Sequence, residues 1–179
     1  METKTLSIGS ISSGTMRDED LIPIFMDTFA EVDSERAKSY RWANRRAFNF
    51  LDDQSVYTDE ESDARRELLP EITQELFAIL GEYCPPYTYF GSHPGDGADY
   101  GVWTSQESLD EAIRYGEITS VGDLSELDEM LTNGGVIPAA VLVVNDHGNM
   151  TLYKQTARLV DVANGQRLIR GQEEVWSIV

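Results

Sequence analysis

The sequence predicts an α+β fold, in which N-terminal helices pack on a C-terminal antiparallel sheet with the connectivity of a meander. Three observations support this prediction. Apolar residues recur at helical spacing between residues 20 and 83, and from residue 139 onward they follow the spacing of strands. Turn signals such as Asn164-Gly165 separate the later apolar runs, as is typical of hairpins.

The length and composition are those of one compact domain. The chain has 179 residues, of which 41% are apolar, and this is enough to bury a sizeable core. We predict a single domain, 1–179. It would comprise a mainly helical part, 1–86, and a strand-rich part, 87–179, that also holds two short acidic helices.

Charge is the strongest global signal. The chain has 32 acidic and 14 basic residues, so its net charge is −18. A surface that binds DNA, RNA or an anionic membrane needs clustered Lys and Arg, so the composition favours a basic protein as the partner instead. The single cysteine, Cys84, and the lack of an apolar run of about 20 residues indicate a cytoplasmic protein without a membrane span.

The first half of the chain predicts a short strand and three helices. Weak alternation of apolar residues within 1–14 is typical of this short strand or, alternatively, of an ordered arm. A helix is expected from near Asp20, because Pro23 is tolerated only in a first turn. A second helix is predicted from Ser34 to about Leu51.

Two further features complete this half. Residues 52–63 hold six acids in twelve positions, which predicts an exposed linker. A third helix is expected from near Glu67 to Gly81, where Pro85-Pro86 prevents its continuation. On the second helix, Trp42 and Arg46 are four residues apart and are able to stack; alternatively, the arginines there face acidic neighbours.

The second half begins with two short helices. Ser105 is expected to be the N-cap of the first helix, and the second helix is expected from Asp123 to Leu131. From Glu107 to Glu129 the two helices carry eight acids, with Arg114 as the only basic residue.

Strands follow these helices. Residues 139–144 predict a buried strand, and 145–149 predict a tight hairpin that leads into 150–153. Two more strands, at 158–162 and 167–169, are expected on either side of the Asn164-Gly165 turn, and 175–178 would close the sheet. Consecutive hairpins of this kind make an antiparallel meander.

Two aromatic runs flank a glycine-rich loop at residues 87–103, for which three interpretations remain open. The first is a metal or acid/base site, because His and carboxylate side chains suit Zn, Mn or Fe and glycines let the backbone approach a ligand. The second is a simple turn, and the third is an aromatic recognition surface in which the tyrosines are the exposed set. The candidate catalytic or metal-binding residues are His93, Asp96, Asp99 and His147. The candidate recognition rings are Tyr87, Tyr89, Phe90, Tyr100 and Trp103.

The motif Tyr-Phe-Gly-Ser-His-Pro-Gly-Asp-Gly-Ala-Asp-Tyr-Gly at 89–101 resembles a group of small acidic proteins found in bacteriophages and mobile elements. The segments 144–153 and 8–15 share this resemblance, which covers most of the chain. The group has no established activity, so the resemblance implies a biological context and no catalytic residues. Accessory proteins of that context often block nucleic-acid-binding proteins of the host, such as restriction or CRISPR complexes.

This context and the net charge favour a non-enzymatic protein that binds a basic host protein as a nucleic-acid mimic. Carboxylates three or four residues apart on a helix lie about 5–6 Å from one another, which is comparable with phosphate spacing along one strand. We expect no cofactor. The candidate partner-binding residues are Glu107, Asp110, Glu111, Asp123, Glu126 and Glu129.

Overall fold

The computed structural model describes residues 4–133, 138–162 and 165–178. It confirms the α+β class. The chain forms two compact units, Met1–Trp103 and Thr104–Val179, each of which has its own sheet. The aromatic strands of the glycine-rich segment belong to the first unit, so the boundary between the units falls later than the expected change after residue 86. The single domain over 1–179 stays a prediction.

The first unit contains five α-helices and a three-stranded sheet within its described residues. The helices are α1 (Asp18–Val32), α2 (Ser34–Ala43), α3 (Arg45–Asp52), α4 (Asp59–Arg66) and α5 (Leu69–Gly81). The strands are β1 (Gly9–Ser13), β2 (Thr88–His93) and β3 (Asp96–Thr104), in the spatial order β1-β3-β2.

The core of this unit joins the helices to the sheet. Phe25 of α1 is fully buried, and its ring makes edge contacts with Phe77 of α5 at 5.3 Å and with Phe90 of β2 at 5.1 Å. Tyr100 of β3 completes the group, 6.0 Å from Phe25 between ring centroids. The sheet on which these helices pack is therefore the β1-β3-β2 sheet, which includes the aromatic strands.

Two predictions about these helices were wrong. Helix α1 begins at Asp18, so Pro23 lies beyond its first turn and removes one backbone donor there. The helix predicted from Ser34 to Leu51 is broken at Asn44, where the side-chain Nδ2 and the backbone N–H both donate to the carbonyl of Tyr40. Such competition between a side chain and the backbone interrupts the regular bonding of a helix.

Helix α4 replaces part of the expected acidic linker. Thr58 and Glu61 form a capping box: Thr58 Oγ1 accepts from the backbone N–H of Glu61, and Glu61 Oε2 accepts from that of Thr58. These two bonds satisfy donors that a helix start otherwise leaves free. The sequence Thr-Asp-Glu-Glu at 58–61 has the pattern of a capping box, so this helix was predictable. The prediction of a linker considered only the number of acids.

The second unit contains α6 (Gln106–Arg114), α7 (Leu124–Thr132) and a four-stranded sheet. Its strands are β4 (Ile118–Val121), β5 (Ala140–Val144), β6 (Met150–Val162) and β7 (Gly165–Ile178), in the order β4-β5-β6-β7. Strands β5, β6 and β7 form the predicted antiparallel meander. Strand β4 was not predicted, and because it pairs in parallel with β5 the sheet is mixed.

The long strands β6 and β7 differ from the shorter strands that were expected. Each is continuous, whereas the sequence indicated interruptions after residues 153 and 169. Strand β5 pairs with β6 only from Met150 to Lys154, so among the described residues the rest of β6 pairs with β7 alone. The predicted turn at Asn164-Gly165 includes Asn164, which lies outside the described residues. The predicted hairpin after β5 is present, and Asn145 Oδ1 accepts there from the backbone N–H groups of His147 and Asn149.

Candidate functional site

Helix α6 presents three of the candidate acids to solvent. Ser105 is its N-cap, because its Oγ accepts from the backbone N–H of Ser108 at 3.2 Å. Leu109 and Ala112 are the buried residues of the helix, which packs against β4. The acids lie on the opposite, exposed side of the helix. The exposed candidates are Glu107, Asp110 and Glu111.

Helix α7 uses two of its candidate acids for its own N-terminus. Asp123 Oδ1 accepts from the backbone N–H groups of Ser125 and Glu126, and Glu126 Oε2 accepts from that of Gly122 at 3.0 Å. The bond from the Ser125 hydroxyl is the main reason that the pKa of Asp123 is below its ordinary value. Asp123 and Glu126 therefore have structural roles that the sequence prediction did not assign. Glu129, further along the helix, is exposed.

The ion pairs of Lys and Arg among the described residues all lie in the first unit. Among the described side chains of α6 and α7, no Lys or Arg forms an ion pair with Glu107, Glu111 or Glu129, and Asp110 accepts only from Gln106. In the first unit, by contrast, five cationic residues form ion pairs with acids. These pairs are Arg17 and Arg66 with Glu19, Arg36 with Glu82, Lys38 with Glu35, and Arg41 with Asp52.

Exposed carboxylates that outnumber the basic residues beside them in the sequence give α6 and α7 a negative field that attracts cationic groups. Within Gln106–Thr132 the sequence has eight acids and one basic residue, Arg114. Glu107, Asp110 and Glu111 occupy positions three and four apart, so they are neighbours on the surface of α6. The chemistry available here is electrostatic binding of a basic surface.

The glycine-rich loop is a two-residue turn between β2 and β3. His93 ends β2 and Asp96 begins β3, with only Pro94 and Gly95 between them. His93 Nδ1 accepts from the backbone N–H of Gly95 at 3.1 Å, and Asp96 Oδ1 accepts from that of Ala98 at 2.9 Å. The imidazole also packs edge-on against Trp103, 4.6 Å away between ring centroids. Both polar side chains thus form contacts that hold the turn.

Asp99 has a hydrogen bond of its own, apart from those of His93 and Asp96. Asp99 lies three residues after Asp96 on β3, so the two side chains point to opposite faces of the strand. Asp99 accepts a hydrogen bond from the hydroxyl of Ser10 on β1. His147 belongs to the second unit, in the exposed hairpin after β5, where its Nε2 lies 3.6 Å from Asp146.

No group of three or more His, Cys, Asp and Glu residues suited to holding a metal ion occurs in the part of the chain that the structure describes. The site proposed for His93, Asp96, Asp99 and His147 stays a prediction from the sequence. Within the described residues, no helix has the combined length and apolar composition needed to cross a membrane.

The aromatic rings near the turn are buried or half-buried. Phe90 and Tyr100 are buried in the core, contrary to the expectation that Tyr100 belongs to an exposed set. Tyr89 and Trp103 are half-buried, and each donates to a backbone carbonyl of the hairpin, Tyr89 to Ser92 and Trp103 to Gly91. Tyr87 is also half-buried. These rings build the hairpin and its packing.

One of the two interpretations of the arginines on α2 and α3 needs a change of residue. Arg45, not Arg46, lies over the Trp42 ring, with its guanidinium carbon 5.1 Å from the centroid. Arg41 faces an acid, Asp52, with both carboxylate oxygens 2.8 Å from Nη2. The break at Asn44 explains the change of stacking partner, because it removes the regular four-residue spacing between Trp42 and Arg46.

Comparison with known proteins gives no family or function for this chain. No family model matches it, and neither a curated protein nor a solved structure matches it.

Proposed function

We propose that this protein is a non-enzymatic accessory protein that binds a basic protein of a bacterial host, in the cytoplasm, through the acidic helices α6 and α7. The observation that carries the proposal is the lack of an ion pair between any described Lys or Arg and Glu107, Glu111 or Glu129. Carboxylates that are exposed and form no ion pair among the described residues are available to a partner, and within Gln106–Thr132 the sequence has eight acids and only one basic residue, Arg114.

The partner is a protein whose own ligand is nucleic acid, such as a restriction or CRISPR complex. A groove that binds phosphates is lined by Lys and Arg, and the same groove accepts carboxylates at comparable spacing. The sequence resemblance to proteins of bacteriophages and mobile elements supports this class of partner. The protein would act by occupying the groove and excluding DNA or RNA.

The test combines capture of a partner with competition by nucleic acid. The tagged protein is used to capture proteins from bacterial lysate at low and at high salt, and the retained proteins are identified by mass spectrometry. We expect a basic nucleic-acid-binding protein that is retained at low salt and lost as salt rises, because salt screens exposed charges. Duplex DNA or RNA should displace the captured partner if both ligands use one groove.

Charge reversal locates the binding surface. The variant Glu107→Lys/Asp110→Lys/Glu111→Lys should lose most of the captured partner while its circular dichroism and melting curve remain those of a folded protein. A matched control, Asp27→Lys/Glu31→Lys/Glu67→Lys, changes the net charge by the same amount at exposed acids of the first unit that form no ion pair with any described residue. The control should retain the partner. Equal capture by both variants would show that α6 is not the binding surface.

A further inference from the structure

A cleft of about 440 Å³ lies between the junction of α2 and α3 and the first half of α5. Arg45 and Arg46 line it from α3, and Glu71 and Glu75 line it from α5. Leu68 and Ile72 are apolar residues that also line it. The volume is within the range of about 300–1,000 Å³ that small-molecule sites occupy in proteins.

The four charged side chains of this cleft do not neutralise one another. All four lie within the described residues, and no ion pair joins either arginine to Glu71 or Glu75. This contrasts with Arg36, Arg41 and Arg66 of the same unit, each of which forms an ion pair with a carboxylate. The cleft thus contains both signs of charge at positions where a bound molecule can reach them.

One charge of each sign is held in place by a neighbouring ring. Tyr40 Oη donates to Glu75 Oε2 at 2.6 Å, and the Tyr40 ring itself packs against Phe29 and Phe48. Arg45 lies over the exposed ring of Trp42. Charged groups that are already oriented lose less conformational entropy when a ligand binds.

The pair of charges restricts the chemistry of the ligand. A simple anion would be attracted by the arginines and repelled by the glutamates. A simple cation would be attracted by the glutamates and repelled by the arginines. A molecule that carries both a carboxylate and an ammonium group satisfies both sets. An apolar side chain on that molecule would pack on Leu68, which is 38% exposed and lines the cleft.

We propose that this cleft binds a small zwitterion of the amino-acid or short-peptide class, with its carboxylate on Arg45 and Arg46 and its ammonium group on Glu71 and Glu75. The site lies in the first unit and does not depend on α6 or α7, so it is independent of the binding function proposed above.

The test uses four probes with defined charge. Leucylglycine has both charges and an apolar side chain; N-acetyl-leucylglycine lacks the ammonium group; leucylglycinamide lacks the carboxylate; and leucine has both charges closer together. Each probe is titrated into the ¹⁵N-labelled full chain and followed by NMR. We expect saturable shifts at 43–47 and 68–75 with leucylglycine, and binding at least about tenfold weaker for the two singly charged probes.

The leucine titration shows whether the cleft prefers a free amino acid or a peptide. Tighter binding of leucine than of leucylglycine assigns the cleft to free amino acids, and the reverse assigns it to peptides. Both results support the zwitterion site. No saturation by either probe below about 10 mM, or equal binding of the N-acetylated probe, would overturn the proposal.

Two substitutions tie binding to the cleft. Glu71→Gln and Arg46→Gln each remove one charge and keep a polar side chain, and each should weaken leucylglycine binding at least about tenfold. Glu67→Gln is the matched control, since Glu67 is exposed and does not line the cleft. Unchanged affinity in Glu71→Gln and Arg46→Gln, with the same NMR shifts as the wild type, would contradict the assignment.

Discussion

Gly101 of β3 and Gly9 of β1 lie so close together that a β carbon on Gly101 would be 2.1 Å from the carbonyl oxygen of Gly9. Gly9 has a φ of 131°, a conformation that residues with side chains rarely adopt. The two glycines occur where β1 pairs with β3, just before a shift of register between Ser10 and Ser12. Two residues without side chains therefore allow β1 to approach β3.

Gly101→Ala should destabilise the first unit, because the added methyl group overlaps the backbone of β1. We expect the free energy of unfolding to fall by about 1–3 kcal/mol, as for other overpacked sites. Gly97→Ala on the same strand is the control, since nothing lies within 4 Å of a β carbon there. Urea denaturation of both variants measures the difference. Equal stability of the two variants would show that β1 moves away at little cost.

Phe25→Ala should be among the most destabilising core substitutions. Phe25 is fully buried and lies at the centre of edge contacts with Phe77, Phe90 and Tyr100. Loss of the ring removes apolar burial and leaves a cavity, which together cost about 3–5 kcal/mol. Phe25→Leu keeps most of the volume and should cost clearly less. If both variants unfold at the same urea concentration, the volume that leucine retains does not contribute to stability, which would contradict the cavity argument.

Local patterns predicted the helical elements better than the sheet. The apolar residues of α1 and α5 repeat at helical spacing, and burial of Phe25, Phe29, Leu76 and Leu80 follows that repeat. Strand β4 has only four residues, two of them Thr and Ser, so its pattern is too short to be recognised. Its parallel pairing with β5 depends on α7 as the crossover, a relationship between distant residues that spacing alone does not contain.

In the candidate site, too, local features were predictable from the sequence and features that depend on tertiary packing were not. The exposure of Glu107, Asp110 and Glu111 followed from helical spacing once Leu109 was assigned to the core. The capping roles of Asp123 and Glu126 also had a local signal, since the sequence Gly-Asp-Leu-Ser-Glu has the acids expected at a helix start. The cleft between α3 and α5 had none, because it depends on the break at Asn44 and on tertiary packing.

Arg36→Ala should lower the melting temperature by removing a connection between α2 and the end of α5. Arg36 Nη1 and Nη2 donate to the two carboxylate oxygens of Glu82 at 2.6 and 3.1 Å, and Nη1 also lies 3.2 Å from Tyr83 Oη. The pair is partly exposed, so we expect a loss of only about 2–4 °C for a chain of this size. Differential scanning calorimetry measures the change.

Arg36→Lys separates the geometry of this contact from its charge. Lysine keeps the positive charge but lacks the planar fork that donates to both oxygens of Glu82. Its melting temperature should therefore fall below that of the wild type while staying above that of Arg36→Ala. A melting temperature equal to the wild type would show that charge alone accounts for the contact.

Glu19 should make stability depend on pH in the acidic range. Hydrogen bonding to the Arg66 side chain, with a further contribution from Arg17, holds the pKa of Glu19 below its ordinary value of 4.5. A carboxyl group whose pKa is lower in the folded state stabilises the fold above its unfolded pKa. That contribution is lost as the pH falls through the lower, folded value.

The measurement is the urea midpoint between about pH 7 and pH 3 for the wild type, Glu19→Gln and Arg66→Gln. Glu19→Gln should be less stable than the wild type at neutral pH. The difference should shrink as the pH falls below the ordinary value of 4.5, because the unfolded wild type then binds a proton more readily than the folded protein does. Arg66→Gln should lose part of the same pH dependence, since Arg17 still lies 2.6 Å from Glu19. A difference between the wild type and Glu19→Gln that stays constant over this range would show that Glu19 acts through packing and not through its charge.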